Sequence, residues 1–334
     1  MDADSQDLKV LSARGSNGKP VSTETAPAWV KGIRGKRLIV IFRGPGCTYD
    51  LRPGGGCRYC GFRRLTTEGV RVESADLIAQ FGWVKSHVNF SQETAIEMDL
   101  YNSGSFLNDL EVPSEARLEI LREVGHLPGV RVVVIESRPE YITRPSLLEA
   151  RRALMESVAL EVAIGLDAYD NELREQLLQK GFTRTAFEQA VGRLAEVGAD
   201  LLCYVMIKPW SMTDDAALQD AIHCAEYAHE VASRHSVRCR IALEPTFVVP
   251  GTSLADLYIA GLYEPVSLWV VRQAAERIAA LGSVYVGLWD ENLHPLAVPS
   301  SCVNCQRTLL GALQQFNATQ DRSDLKVAPC ECHG

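Results

Sequence analysis

Cys47, Cys57 and Cys60 lie close together in the stretch GPGCTYDLRPGGGCRYCGF, with the spacing C-x9-C-x2-C. Thiolates are soft ligands, and three of them on one flexible loop suit three irons of a [4Fe–4S] cluster, leaving the fourth iron open. Glycines at 44, 46, 54, 55 and 56 let the backbone wrap closely around a group of that size. A structural zinc would need a fourth ligand, and no histidine lies nearer than His87. A disulfide would leave one thiol over and would suit an exported protein. The spacing and context favour the cluster.

A second set of cysteines stands at the other end of the chain. Cys302-Val-Asn-Cys305 and Cys330-Glu-Cys332 bracket a helix-compatible stretch. Together they offer four soft ligands, the number a tetrahedral structural zinc requires. A second iron–sulfur cluster would use the same four thiolates and is the alternative. Cys203, Cys224 and Cys239 fall within strand or helix patterns and read as small buried apolar residues.

The trio needs a scaffold. Strand-like runs recur at Arg37 to Phe42, Ala95 to Asn102, Val130 to Ile135, Leu160 to Leu166, Leu201 to Ile207, Arg238 to Leu243 and Val284 to Trp289. Helix patterns separate them. Phe187, Ala190, Val191, Leu194 and Ala195 share one helical face, with Thr185 and Glu188 as a capping box and Gly198 beyond the end. Such βα alternation implies an α/β fold, a partial (β/α)6 TIM-like barrel, with reactive groups at the C-terminal ends of the strands. The cysteine loop follows the first of these strands. The expected organisation is a flexible N-terminal segment over 1–35, a barrel over 36–290 and a cysteine-rich metal-binding tail over 291–334.

Composition narrows the function classes. An apolar fraction of 46% and a charged fraction of 23% are those of an ordinary globular protein. No run approaches a membrane span and the N-terminus has no apolar signal core, which predicts a cytoplasmic protein with no membrane partner. Ten cysteines then point to metal chemistry in a reducing compartment rather than to disulfides. The net charge of −8 argues against a broadly basic nucleic-acid-binding surface. Arg52, Arg58, Arg63 and Arg64 nevertheless crowd the cysteine loop as a local basic patch.

Taken with the other strand ends, the loop resembles the radical S-adenosylmethionine (radical SAM) superfamily. The spacing is similar to the branch containing the Elongator catalytic subunit and the archaeosine-synthase radical SAM subunit. The likeness extends over GGGCRYCGF, Tyr101 to Leu107, Glu136 to Ile142, Gly165 to Asp167, Lys180 to Thr183, Tyr204 to Pro209 and the cysteine-bearing tail. The resemblance implies an enzyme in which SAM chelates the open iron and one electron yields a 5′-deoxyadenosyl radical. It also implies an external electron donor of flavodoxin or ferredoxin type. Tyr59 matches the aromatic position against adenine. Asn102, Ser103, Gly104 and Ser105 resemble the segment that binds the methionine amino group, although the usual acidic residue is missing. Arg138 suits the methionine carboxylate, since a guanidinium pairs with it bidentately. Glu136, Ser137 and Asp167 stand as further ribose or substrate ligands. Lys208 and Glu244, each followed by proline, are expected to extend over the barrel mouth toward substrate or toward each other. Trp210 and Trp289 are available to stack on a base or sugar.

Three functions fit these features. The first is a biosynthetic enzyme acting on a free nucleoside or sugar nucleotide, as a similarity to nucleoside-antibiotic (tunicamycin-type) enzymes implies. The second is a tRNA-modifying enzyme of the archaeosine-synthase type. The third is a metal-bearing scaffold without catalysis.

Overall fold

Strand β2 (Ile33–Ile41) shows how the sheet buries both of its faces. Leu38 and Val40 pack outward into the main core against helices, whereas Ile39 and Ile41 turn into a second, inner cluster. Strand β4 (Val130–Glu136) repeats the pattern, with Val133 and Ile135 outside and Val132 and Val134 inside. Period-two alternation with both faces apolar is the signature of a parallel sheet rolled around its own interior.

The computed structural model describes residues 17–91 and 94–333. Among them eight strands form one curled sheet in chain order. Strand β1 (Ser22–Val30) pairs antiparallel with β2. The rest run parallel: β2, β3 (Ala95–Tyr101), β4, β5 (Ala159–Asp167), β6 (Asp200–Ile207), β7 (Cys239–Pro245) and β8 (Val284–Val286). The helices are α1 (Ser74–His87), α2 (Ser114–Gly125), α3 (Arg144–Ala153), α4 (Arg184–Ala195), α5 (Asp214–Arg234), α6 (Ser253–Ile259), α7 (Leu268–Ile278) and α8 (Gln306–Thr319). The expected partial barrel is present, and none of the described helices is long and apolar enough to cross a membrane.

Two expectations need correction. The lead-in is not loose up to residue 35: residues 22–30 form β1, and residues 1–16 lie outside the described residues. Lys31 and Gly32 both adopt left-handed backbone (φ 47° and 87°), the turn that matches hairpin twist. The pattern was hidden because Pro27 interrupts it, which only an edge strand tolerates. Second, α4 is capped by Thr183, whose Oγ1 accepts from the Ala186 amide at 3.3 Å, rather than by Thr185. The expected cysteine-rich C-terminal extension is present, and it packs onto the barrel. Helix α8 packs against both β1 and β8, the two ends of the sheet.

That seam is closed by side chains. Asn317 accepts from the Val286 amide and donates to its carbonyl, both at 2.8 Å. Gln320 does the same for Val284, at 3.0 and 2.7 Å. Two carboxamides thus satisfy the edge of β8 as a further strand would.

Candidate active site

A cavity of about 290 Å³ opens at the C-terminal ends of the strands, and Cys47, Cys57 and Cys60 all line it. Its floor is a polar network within the barrel. Arg37 donates to Asp99 at 2.5 Å and to the Tyr101 hydroxyl at 3.0 Å, and stacks 4.1 Å from the Tyr285 ring centroid. Arg240 bridges Glu97 and Glu161 at 2.8 and 2.9 Å. Burial works against the Arg37 charge, but Asp99, Tyr101, Tyr285 and Glu97 hold it above its ordinary range.

The three loop thiols sit in surroundings that disfavour thiolates. Burial, then the charge of Glu111, pushes Cys47 up to about 11. Burial also raises Cys57 and Cys60, and the latter is raised further by Cys57 and Cys47. Cationic iron would stabilise the thiolates that this environment otherwise penalises. All three thiols line one cavity, the arrangement that three ligands of a shared cluster need, so the residues present fit a cluster.

The loop is fixed by a residue that the sequence pattern did not mark. Glu111, fully buried, accepts from the Thr48 amide and hydroxyl at 2.8 Å each and from Asn108 Nδ2 at 2.9 Å. Its second oxygen accepts from the Ser105 amide and from Asn102 Nδ2. A buried carboxylate from further along the chain thus braces the Asn102 to Ser105 segment from behind. Gly104 leaves room for it, since a Cβ there would lie 2.0 Å from Glu111 Oε2.

Ser103, Gly104, Glu136, Ser137 and Arg138 line the cavity, while Asn102 and Ser105 lie buried behind them. Ser103 has left-handed backbone (φ 56°), and its hydroxyl has no hydrogen-bond partner among the described residues. Glu136 accepts from the Asn102 and Gly104 amides at 3.4 and 3.3 Å, and burial pushes it up to about 7 despite them. The Arg138 amide donates to Ser105 Oγ at 3.1 Å. Its guanidinium donates to Glu140 at 2.6 Å and to the Lys180 carbonyl at 2.9 Å, lying over Tyr49. An orphan hydroxyl, a glycine and a fixed guanidinium facing one cavity suit an amino-acid moiety.

Tyr59 and Asp167 meet directly: the phenol donates to Asp167. Lys180 completes the group, 2.5 Å from Asp167 and donating to Tyr59 at 3.1 Å. Burial alone would lower Lys180, but Asp167 and Cys57 hold it above its usual value. The sequence pattern gives Lys180 no role, because its partners come from two distant strand ends.

Glu244 lines the far wall, pushed up to about 7 by burial against the pull of Arg37. Glu291 faces it from the loop after β8 and is pushed up to about 8 by burial and by Glu244 and Glu136. Gly287 makes this possible, because a Cβ there would lie 1.9 Å from Glu244 Oε2. Lys208 departs from expectation. It takes left-handed backbone (φ 56°) before Pro209, turns from the cavity and pairs with Asp214 at 2.6 Å. Asp214 opens α5 beside it, and Tyr263 donates to the Lys208 carbonyl at 2.8 Å, which together override the extended bias. Trp289 lines the cavity, whereas Trp210 packs into satellite apolar clusters.

The tail cysteines converge. Cys302 Sγ lies 3.5 Å from both Cys305 and Cys330, and Cys305 lies 3.6 Å from Cys332. A tetrahedron with zinc–sulfur bonds of about 2.3 Å has edges of about 3.8 Å. The quartet therefore fits one tetrahedral ion. Hydrogen bonds from Cys332, Cys305 and Cys330 draw the Cys302 thiol down to about 6, while burial raises Cys305 and the nearby Trp269 indole works against that rise. Cys203 and Cys224 are buried core residues, as expected, and Cys239 is half-buried.

No family model matches the sequence. Among curated proteins, archaeosine synthase subunit beta of Methanosarcina acetivorans is 30% identical over 94% of this chain and 88% of its own length. The protein of the same name from Thermococcus kodakarensis is 25% identical over 91% of each chain. Among solved structures, archaeal Elp3 of Methanocaldococcus infernus, with its N-terminus deleted, superposes with a TM-score of 0.51 at 12% identity. That match covers 72% of this chain and 58% of Elp3, and it shows the barrel fold. With a relative at 30% identity along almost its entire length, the chain belongs to the archaeosine synthase subunit beta family of radical SAM enzymes.

Proposed function

We propose that the chain is a tRNA-modifying radical SAM enzyme, with a [4Fe–4S] cluster on Cys47, Cys57 and Cys60 and with SAM and a target nucleotide in the adjoining cavity. The observation that carries this reading is the near end-to-end match to proteins named archaeosine synthase subunit beta. It favours tRNA modification over the free nucleoside or sugar nucleotide expected from specialised metabolism. The word subunit in that name supports a partner chain.

When bound, the cluster supplies one-electron cleavage of SAM to a 5′-deoxyadenosyl radical. The chain's own residues do the rest. Apolar strand ends such as Ile39 and Ile41 line the cavity and keep water from a reactive site. Ser103 and Gly104, braced by Glu111, offer a hydroxyl and a close backbone to the methionine ammonium, and Arg138 offers its guanidinium to the carboxylate. Tyr59, held by Asp167 and Lys180, presents a fixed ring edge to adenine. Glu244 and Glu291 face the substrate from the opposite wall. In the tail, Cys302, Cys305, Cys330 and Cys332 hold a structural zinc, supported by their single-ion spacing.

The test is anaerobic reconstitution followed by incubation with SAM, a reductant and tRNA carrying the archaeosine precursor. The expected result is 5′-deoxyadenosine formed with a mass change in one tRNA nucleoside, both lost in Cys57→Ala. Turnover of a free nucleoside or sugar nucleotide, with no change in tRNA, would overturn the substrate assignment.

A further inference from the structure

Of the basic side chains that line the cavity, Arg37 is committed to Asp99 at the floor, and Arg138 to Glu140 and two backbone carbonyls. Lys180 is placed differently. It stands on a short strap, residues 178–182, that clasps the cysteine loop. The Arg58 amide donates to the Leu178 carbonyl at 3.0 Å, and the Tyr49 hydroxyl to the Gln179 carbonyl at 2.8 Å. The Lys180 ammonium donates in turn to Tyr59, which sits between Cys57 and Cys60. Left-handed backbone accompanies this arrangement: φ is 66° at Asp167, 53° at Gln179 and 70° at Gly181. Two of these three residues carry a Cβ, so the turns are held against a steric cost. Gly165 leaves the room, since a Cβ there would lie 3.0 Å from Lys180 Nζ and 2.9 Å from Asp167 Oδ1.

Stability does not account for such a pair. Removing an ammonium and a carboxylate from water offsets most of their attraction, and apolar side chains of similar volume serve a fold as well or better. What distinguishes the pair is its position. Lys180 and Cys57 line the same cavity. Burial pushes the Cys57 thiol up, and of the charges that act on it the Lys180 ammonium is the strongest, ahead of Asp167 and Arg138.

We propose that Lys180 is a positioning residue for the iron–sulfur cluster, a fixed cation that raises the cluster's reduction potential, with Asp167 as the opposing charge that limits the rise. The inference rests on the reading that Cys47, Cys57 and Cys60 hold the cluster. A cluster held by thiolates gains negative charge when reduced, so a buried cation beside it favours the reduced form and a buried anion the oxidised form. Salt screens buried charges far less than exposed ones, so the effect persists at physiological ionic strength. Tyr59 supplies the fixed geometry, accepting from Lys180 and donating to Asp167, so that both charges keep their places against the loop. The electron comes from an external one-electron reductant, which is oxidised as the cluster is reduced, and no bond forms or breaks.

The deciding experiment is a redox titration of the reconstituted chain without SAM, followed by the EPR signal of the reduced cluster. It compares wild type, Lys180→Met and Asp167→Asn. The expected result is a reduction constant at least tenfold lower in Lys180→Met, about 59 mV for one electron. Asp167→Asn should move it the other way, upward by at least threefold. Opposite signs are the signature of charge, because a pair that only shaped the loop would shift the potential in one direction whichever partner is removed. A smaller shift in either variant, or two shifts of one sign, would overturn the proposal. Where Lys180→Met leaves Asp167 unpaired and holds no cluster, Asp167→Asn decides alone, and an unchanged or lowered potential in it overturns the proposal. Iron is measured first in wild type and in Cys57→Ala. Wild type as poor in iron as Cys57→Ala would sink the cluster reading itself. A full complement of iron whose potential ignores Lys180 and Asp167 would sink this inference alone.

Discussion

The cysteine trio was legible because it is local: three thiols on one loop, announced by spacing and glycine, that the fold brings to one cavity. Glu111 was not, because it matters only through donors that arrive from Thr48, Asn102, Ser105 and Asn108. Replacing it by glutamine would set an NH2 group against amide donors. Glu111→Gln is expected to cost roughly 3 kcal/mol of stability and to weaken SAM binding at least tenfold. Thermal melting and calorimetric SAM titration check both, and an unchanged SAM affinity would remove Glu111 from the site. The cavity carboxyls lead to a pH prediction. Glu136 and Glu244 are raised to about 7 and Glu291 to about 8, chiefly by burial. A carboxyl raised on folding favours the folded state while protonated, fully so below its unfolded value near 4.5, and that contribution is lost as pH rises through its folded value. Melting temperature should therefore fall from about pH 4.5 to about pH 8 and level off above it, and Glu244→Gln/Glu291→Gln should flatten that slope. A slope unaltered in the double variant would mean that these two groups do not titrate there.

Elements were readable in proportion to how completely they are buried. Strands β3 to β7 show as β-branched runs because helices cover one face and the barrel interior fills the other. Strand β1 escaped notice because an edge strand with proline and alternating polar residues looks like a tail. The seam escaped for a different reason. The partner of the β8 edge is a helix whose Asn317 and Gln320 carry the donors and acceptors, and no strand propensity marks such a pairing. Asn317→Leu leaves the amide and carbonyl of Val286 without partners in a buried seam, at a cost of about 1–3 kcal/mol for each group left unmade. Hydrogen exchange should accelerate at Val286 in that variant, and at Val284 in Gln320→Leu, with little change in β4. Protection equal to wild type at these amides would mean that the seam is held by apolar packing alone.

At the scale of the whole molecule, the tail links chemistry at one end of the chain to the sheet formed at the other. Cys305 caps α8 at its N-terminus, and Cys330 and Cys332 return after it, so one ion would tie together both ends of the helix that closes the barrel. Trp269 of α7 and Cys305 share the main core, which extends the clip into it. The loop after β8 brings Trp289 and Glu291 to the cavity, so loosening α8 frees the wall opposite the cysteine trio. Cys330→Ala/Cys332→Ala is therefore expected to lose one zinc per chain while retaining the iron bound by the loop, because the two ligand sets share no residue. Melting temperature should drop, exchange at Val284 and Val286 should rise, and SAM should still bind, though more weakly. Metal analysis beside exchange measurements reads all of this in one preparation. Loss of additional iron with zinc absent from wild type would assign the tail to a second cluster, and an unaltered β8 edge after zinc loss would separate the metal from barrel closure.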